Sequence, residues 1–280
     1  MKWMSFRYQG RESFGFVDAA DSVVDVGATG EWSSLKQALG ADALEHLPST
    51  CVHAPVHRLA DVQYLPPIPD PDKILCVGLN YRDHQKETGR GGERHPTIFT
   101  RFANSQVGHL CQIHRPHESP TLDYEGEIAL VIRKPGRRIP KDAWLDYVFG
   151  FSAYNDASVR EYQRHTSQFT PGKNFVRTGG FGPWIATTDE VGDPESLTVA
   201  TFVDGEERQR ASSSQMVFGF GELIVYCSTF TELAPGDVIV TGTPGGVGAA
   251  REQRSYLQLG STVEVVVDPV GTLVNTIGTG

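Results

Sequence analysis

Short apolar runs, each closed by glycine, proline or a charged cluster, recur along the chain and predict strands more often than helices. Residues 2–8 and 13–17 flank Gln9-Gly10-Arg11 and predict a hairpin. A turn is expected at residues 18–21 and a further strand at 23–26. Residues 33–39 predict a short helix, with Ser33 or Ser34 as its cap and Gly40 at its end, and residues 41–46 a second helical piece. Four prolines within residues 66–71 predict a stiff, extended connector. It divides a small N-terminal domain, residues 1–70, from a larger one, residues 71–280.

Beyond the connector, residues 73–80 predict a buried strand that enters a polar, helix-like piece at 81–87. Another strand is expected at 96–102. The stretch 122–132 reads as one strand, apolar from Ile128 to Ile132 and closed by Arg133-Lys134-Pro135-Gly136. A short helix at 140–147 leads into a strand at 148–154 that ends in Asn155-Asp156, and residues 157–163 predict a helix. Residues 198–203 and 206–212 form a hairpin about Asp204-Gly205. An apolar helix is expected at 218–230, then a strand at 238–241 that runs into a Gly/Pro-rich loop, 242–248, and closing strands at 263–267 and 272–277.

Candidate chemistry concentrates at the ends of these strands. Glu125 and Glu127 are two residues apart, so in a strand they point to one face, roughly 7 Å apart at the backbone. Gly126 between them admits a close neighbour. Like charges beside a buried strand are costly unless a cation lies between them. Asp156, at the end of a neighbouring strand, completes an oxygen-only triad that suits Mg²⁺, Mn²⁺ or Ca²⁺ better than Zn²⁺. The alternatives are a solvated pair of glutamates and an Asp156 that caps the helix at 157–163. His84 and Glu87 share a helical face, where the carboxylate would leave the far imidazole nitrogen free as a base. The glycine-rich loop 88–95 has the composition of a lid. A turn presents Lys173, and the loop 242–248 can offer backbone N–H groups and the Thr243 hydroxyl to a ligand carboxylate.

The chain has 280 residues, 39% hydrophobic and 21% charged, the composition of a soluble globular protein. Its net charge of −9 argues against nucleic acid as a partner. The four cysteines form no C-x-x-C pair, so neither a zinc site nor a redox motif is expected. The first residues lack the apolar core of a signal peptide, and no run is long enough to span a membrane. A cytoplasmic location is expected.

Taken in order, five motifs form a recognisable set: Gly78-Leu79-Asn80-Tyr81-x-x-His84-x-x-Glu87; Asp123-Tyr124-Glu125-Gly126-Glu127; Asn155-Asp156 with Gln163; Gly172-Lys173-Asn174-Phe175; and Gly242-Thr243-Pro244-x-Gly246-Val247-Gly248. The set resembles the fumarylacetoacetate hydrolase family, and the likeness runs from residue 70 to the C-terminus. That resemblance implies an α+β, predominantly β fold: a mixed β-roll catalytic domain with a small N-terminal α/β domain, assembled as a homodimer. It implies Mg²⁺ or Mn²⁺, with Ca²⁺ a further candidate, on Glu125, Glu127 and Asp156. Lys173 would sit beside the metal, His84 and Glu87 would activate water, and Gln163, Thr243 and Tyr81 would contact substrate. Asn174 stands where the family usually has serine. Arg82 and Arg101 are added as candidates for a substrate carboxylate on charge and position alone. The implied reaction is metal-dependent hydrolysis of a C–C bond in a 2,4-dioxo acid such as an acylpyruvate or fumarylpyruvate, a small anionic substrate, to pyruvate and a carboxylic acid. Alternatives are a decarboxylase or isomerase of oxaloacetate- or hydroxymuconate-like acids in aromatic catabolism, and a non-catalytic protein that binds such ligands through a metal.

Overall fold

The computed structural model describes residues 1–18 and 21–280. Ala19 and Ala20, inside the turn expected at 18–21, lie outside the described residues. The architecture is strand-dominated and mixed, with two large sheets, several short helices and one longer helix, Phe220–Phe230.

The strand Gly126–Ile132 lies near the middle of the larger sheet, between the antiparallel strands Val148–Asn155 and Val238–Val240. Beyond Val238–Val240 the parallel strand Ile74–Gly78 and then Thr97–Arg101 extend the sheet. On the other side Gly179–Thr187 pairs with Val148–Asn155 and also with Lys2–Tyr8. The sheet therefore runs without a break from the N-terminal hairpin into the rest of the chain.

Both faces of Gly126–Ile132 are buried, which is why its sequence is a continuous apolar run rather than an alternating one. Ile128, Leu130 and Ile132 pack against Val199, Val265, Val267 and Leu273 of the second sheet, and against Phe220, Leu223 and Ile224 of the helix Phe220–Phe230. Ala129 and Val131 pack on the opposite side with Trp3, Ile74, Val238 and Ile185. The second sheet orders Glu206–Ser212, Thr198–Val203, Thr262–Asp268, Gly271–Thr279 and Gln112–Arg115. It crosses the first so closely that a Cβ on Gly126 would overlap the Thr201 hydroxyl.

Three expected elements are corrected. The stretch 122–132 is not one strand. Leu122–Asp123 pairs with Ser158–Val159, and the main strand begins only at Gly126. Glu125 sits in the gap, where its N–H donates to Asn155 Oδ1 and its carbonyl accepts from the Asp156 N–H. The pairing of Ser158–Val159 also shortens the helix expected at 157–163 to Arg160–Gln163, with Val159 as its cap. Asp156 is thus not a capping residue. In the N-terminal segment the second helical piece is Leu47–Thr50 rather than residues 41–46. Among the described residues no helix is long and apolar enough to cross a membrane.

Candidate active site

The register of the central strands builds the site. Gly126 pairs with Asn155 and Glu127 with Tyr154, so Asp156 emerges beside the two glutamates. Oxygens of Glu125, Glu127 and Asp156 all lie within 4.8 Å of one another, and all three residues are buried. Burying one such charge costs several kcal/mol unless it is compensated.

Three cations compensate part of it. Lys173, 1% exposed, donates to Glu125 Oε2 at 2.6 Å and to Asp156 Oδ2, with its ammonium 4.9 Å from the centre of the Phe99 ring. Arg101 donates to Asp156 Oδ1 at 2.6 Å, and its remaining N–H groups are taken by Ala157 O, Thr178 and Ser105. Arg160 donates from Nε to Asp123 Oδ2 at 2.8 Å and from Nη1 to Glu125 and to Gln163 Oε1. Burial pushes the Glu125 carboxyl up, but Lys173 and Arg160 outweigh it and hold the group at about 2.

Glu127 is different. Its recorded hydrogen bond comes from the Gly242 N–H at 2.5 Å, and no cationic side chain pairs with it among the described residues. Burial, then the charges of Asp156 and Glu125, push its pKa well up. A hard divalent cation fits this donor set: three carboxylates, no sulfur, and one acid lacking a counter-charge. Glu125, Glu127 and Asp156 are the residues that would hold it.

His84 and Glu87 lie on the helix Arg82–Thr88, which Gly89 closes in the left-handed conformation. His84 Nδ1 is 2.7 Å from Glu87 Oε1, and Glu87 Oε2 accepts the Gly246 N–H at 2.8 Å. With the proton assigned to Nδ1 by that bond, Nε2 keeps its lone pair. The loop 242–248 is fixed from three sides. Asn80 donates to Thr241 O and Phe218 O, Asp123 accepts the Gly248 and Ala249 N–H groups, and Gln209 donates to Thr243 Oγ1 and Pro244 O. Thr243 in turn donates to Gly126 O at 3.0 Å.

A cavity of about 820 Å³ brings His84, Glu87, Glu125, Glu127, Lys173, Gln163 and Thr243 together, along with Arg160. Asp156 does not line it, and is bonded to Lys173, which does.

A family model described as fumarylacetoacetate (FAA) hydrolase C-terminal matches residues 73–278. The chain belongs to the fumarylacetoacetate hydrolase family. It is 42% identical over 228 residues to the oxaloacetate tautomerase YisK of Bacillus subtilis, a match covering 80% of this chain and 75% of that protein. Among solved structures it is similar to a fumarylacetoacetate hydrolase from Exiguobacterium antarcticum, with a TM-score of 0.86, 35% identity and full coverage of both chains. It is also similar to the maleylpyruvate hydrolase of Sphingobium sp. SYK-6 in complex with manganese(II) ion and pyruvate, with a TM-score of 0.83, 25% identity and full coverage of both chains.

Three expected substrate contacts of this family member lie elsewhere. Arg101 is 2% exposed and spends its guanidinium on Asp156 and its neighbours, so it positions a carboxylate of the triad rather than facing the cavity. Tyr81 and Arg82 border a separate cavity of about 390 Å³ on the other side of Glu87. Tyr81 is turned there because it stands at the strand-to-helix junction and packs into the central core. Arg160, Asp123 and Gln209 are site residues to which sequence reasoning gave no role. The one signal for Arg160 was charge balance: three acids at 123, 125 and 127 require buried cations.

Proposed function

We propose that this family member is a divalent-metal-dependent enzyme that carries a 2-oxo acid through its enolate, and that its reaction is the keto–enol tautomerisation of an oxaloacetate-like acid. The observation that carries the proposal is the placement of His84, held by Glu87, in one cavity with Glu125, Glu127 and Lys173, beside which Asp156 completes the carboxylate cluster. The 42% identity to a protein named as an oxaloacetate tautomerase supports this choice of reaction.

When bound by Glu125, Glu127 and Asp156, the cation would act as a Lewis acid toward the 2-oxo group. Lys173 places a second positive charge beside the oxygen that becomes negative. Arg160 Nη2 is buried and without a partner among the described residues, and so is the donor left for the substrate's carboxylate. His84 Nε2 removes a proton from C3, the C2=C3 bond forms, and the carbonyl electron pair moves to oxygen. The proton held by His84 is then returned to that oxygen to give the enol, and the reverse sequence gives the keto acid. Glu87 stabilises the imidazolium between the two transfers.

A second reading is hydrolysis of a 2,4-dioxo acid, favoured by the likeness to maleylpyruvate hydrolase and by the same dyad. His84 would then take its proton from a water that attacks the 4-carbonyl. Cleavage of the C3–C4 bond would release the pyruvate enolate, which is protonated at C3.

A product-resolved assay separates the readings. Metal-stripped protein is supplied with Mg²⁺ or Mn²⁺ and given oxaloacetate, acetylpyruvate or fumarylpyruvate. Metal-dependent acceleration of keto–enol exchange, with oxaloacetate conserved, supports the tautomerase. Pyruvate plus a second carboxylic acid from an acylpyruvate would move the assignment to hydrolase, and CO₂ from oxaloacetate to decarboxylase. No metal-dependent change in any substrate would refute both readings.

A further inference from the structure

Leu122–Asp123 and Ser158–Val159 form a two-stranded sheet apart from the two large ones. Its register sets Asp123 opposite Ser158, and the Arg160 N–H donates to Thr121 O at 3.1 Å. The backbones of Asp123 and Arg160 are therefore fixed side by side. The Asp123 side chain, fully buried, serves two parts of the site. Its Oδ2 accepts from Arg160 Nε at 2.8 Å and from the Ala249 N–H at 2.9 Å. Its Oδ1 accepts from the Gly248 N–H at 2.9 Å and from the Tyr124 N–H at 3.0 Å. Gly248 admits this approach, since a Cβ there would lie 2.6 Å from Asp123 Oδ1 and 2.0 Å from Ser255 O. Arg160 and Ala249 both line the catalytic cavity, whereas Asp123 does not.

A guanidinium is planar, so fixing two of its nitrogens sets the direction of the third. In Arg160, Nε is held by Asp123 and Nη1 by Glu125 and Gln163, and Nη2 has no partner among the described residues. Glu125 alone could take two of these nitrogens in a bidentate pair. Asp123 opposes that by keeping Nε for itself.

We propose that Asp123 is a positioning residue that holds Arg160 with Nη2 presented to the substrate's carboxylate. The preference of the cavity for a 2-oxo acid over its uncharged counterpart then depends on a side chain outside the cavity and outside the carboxylate triad. The proposal rests on the reading that Arg160 Nη2 takes that carboxylate.

The test is a binding measurement that does not depend on turnover. Titration calorimetry on Mn²⁺-loaded protein compares pyruvate with pyruvamide, which keeps the 2-oxo group and lacks the charge. The wild type is expected to prefer pyruvate. Asp123→Asn keeps the size of the side chain and removes an acceptor, and is expected to lower that preference about tenfold through weaker pyruvate binding, the order of one hydrogen bond to a charged group. Its affinity for pyruvamide is expected to stay at the wild-type level, whereas a residue that only supported the fold would weaken both ligands alike. Arg160→Lys keeps a cation among the acids but cannot make both contacts, and is expected to lose the same preference. Asp123→Asn added to it is expected to lower the preference no further. Thermal melts check that each variant folds. Asp123→Glu, which keeps the charge and displaces it by one methylene, is expected to lower the preference by a smaller factor and is read instead if Asp123→Asn does not fold. A wild-type preference in the Asp123 variant that is read, or an equal further loss when it is added to Arg160→Lys, would overturn the proposal. No preference in the wild type, or a wild-type preference in Arg160→Lys, would instead overturn the reading of Arg160 beneath it, which is a separate result.

Discussion

Two regions of this protein bury carboxylates, and they do so in opposite ways. Asp25, in the N-terminal segment, is fully buried, yet it accepts from Arg11, Ser13, His57 Nε2 and the Ala28 N–H. One acid meets four donors, and the network is closed. The Glu125–Glu127–Asp156 cluster, with Asp123 beside it, sets four buried acids around Lys173, Arg101 and Arg160, and leaves Glu127 with a backbone N–H. Burial of an acid therefore says little about function. A buried excess of acids over counter-charges, facing a cavity, is what marks a cation site.

Replacing Glu127 sharpens the contrast most. Glu127→Gln is expected to cost about 10³-fold or more in metal-dependent turnover. The same change should stabilise the metal-free protein. The raised pKa means that the folded chain holds the Glu127 proton more tightly than the unfolded chain does. Folding is therefore penalised as pH rises from the ordinary carboxylate range through that raised value, and glutamine removes the penalty. Thermal melts of both proteins in EDTA at neutral pH check the sign. His84→Ala is expected to lower turnover by about 10²- to 10⁴-fold while leaving Mn²⁺ affinity nearly unchanged, because His84 is not a triad member. Steady-state kinetics beside a Mn²⁺ titration measure both. Asp25→Ala should do the reverse. It removes the acceptor of Ser13, His57 and the Ala28 N–H, leaves a half-exposed Arg11 in water, and is expected to cost about 1–3 kcal/mol in denaturant unfolding with kcat of the folded protein unchanged.

The smallest effect is in acid. Glu125 has its pKa lowered from 4.5 to about 2 against burial, through Lys173 and Arg160. Its contribution to stability is complete above the ordinary value and is lost as pH falls from 4.5 toward 2. Acid unfolding of the Glu125→Gln variant should lack that component.

Much of this was legible in the sequence for a physical reason. The strand Gly126–Ile132 is buried on both faces, so its apolar run is unbroken, and Glu127 and Asp156 stand at the ends of such runs. His84 and Glu87 were legible because helical spacing alone brings them together. What escaped was settled by contacts between distant parts of the chain. Arg160 reaches Glu125 across 35 positions, and Gln209 Oε1 accepts the Gly126 N–H across 83. The helix expected at 157–163 is cut back to Arg160–Gln163 because Ser158–Val159 finds a strand partner in Leu122–Asp123, and pairing outweighs local preference. Arg101 looked available because a charge near a strand end is usually exposed, whereas here Asp156 claims it.

The most direct test of the central claim is calorimetric titration of Mn²⁺ into metal-stripped wild type, Glu127→Gln and Asp25→Asn at neutral pH. Saturable binding at a single site in the wild type and in Asp25→Asn, with none in Glu127→Gln, is the expected result. Absence of binding in the wild type, or equal binding in Glu127→Gln, would contradict the claim that the open cluster of acids is a cation site.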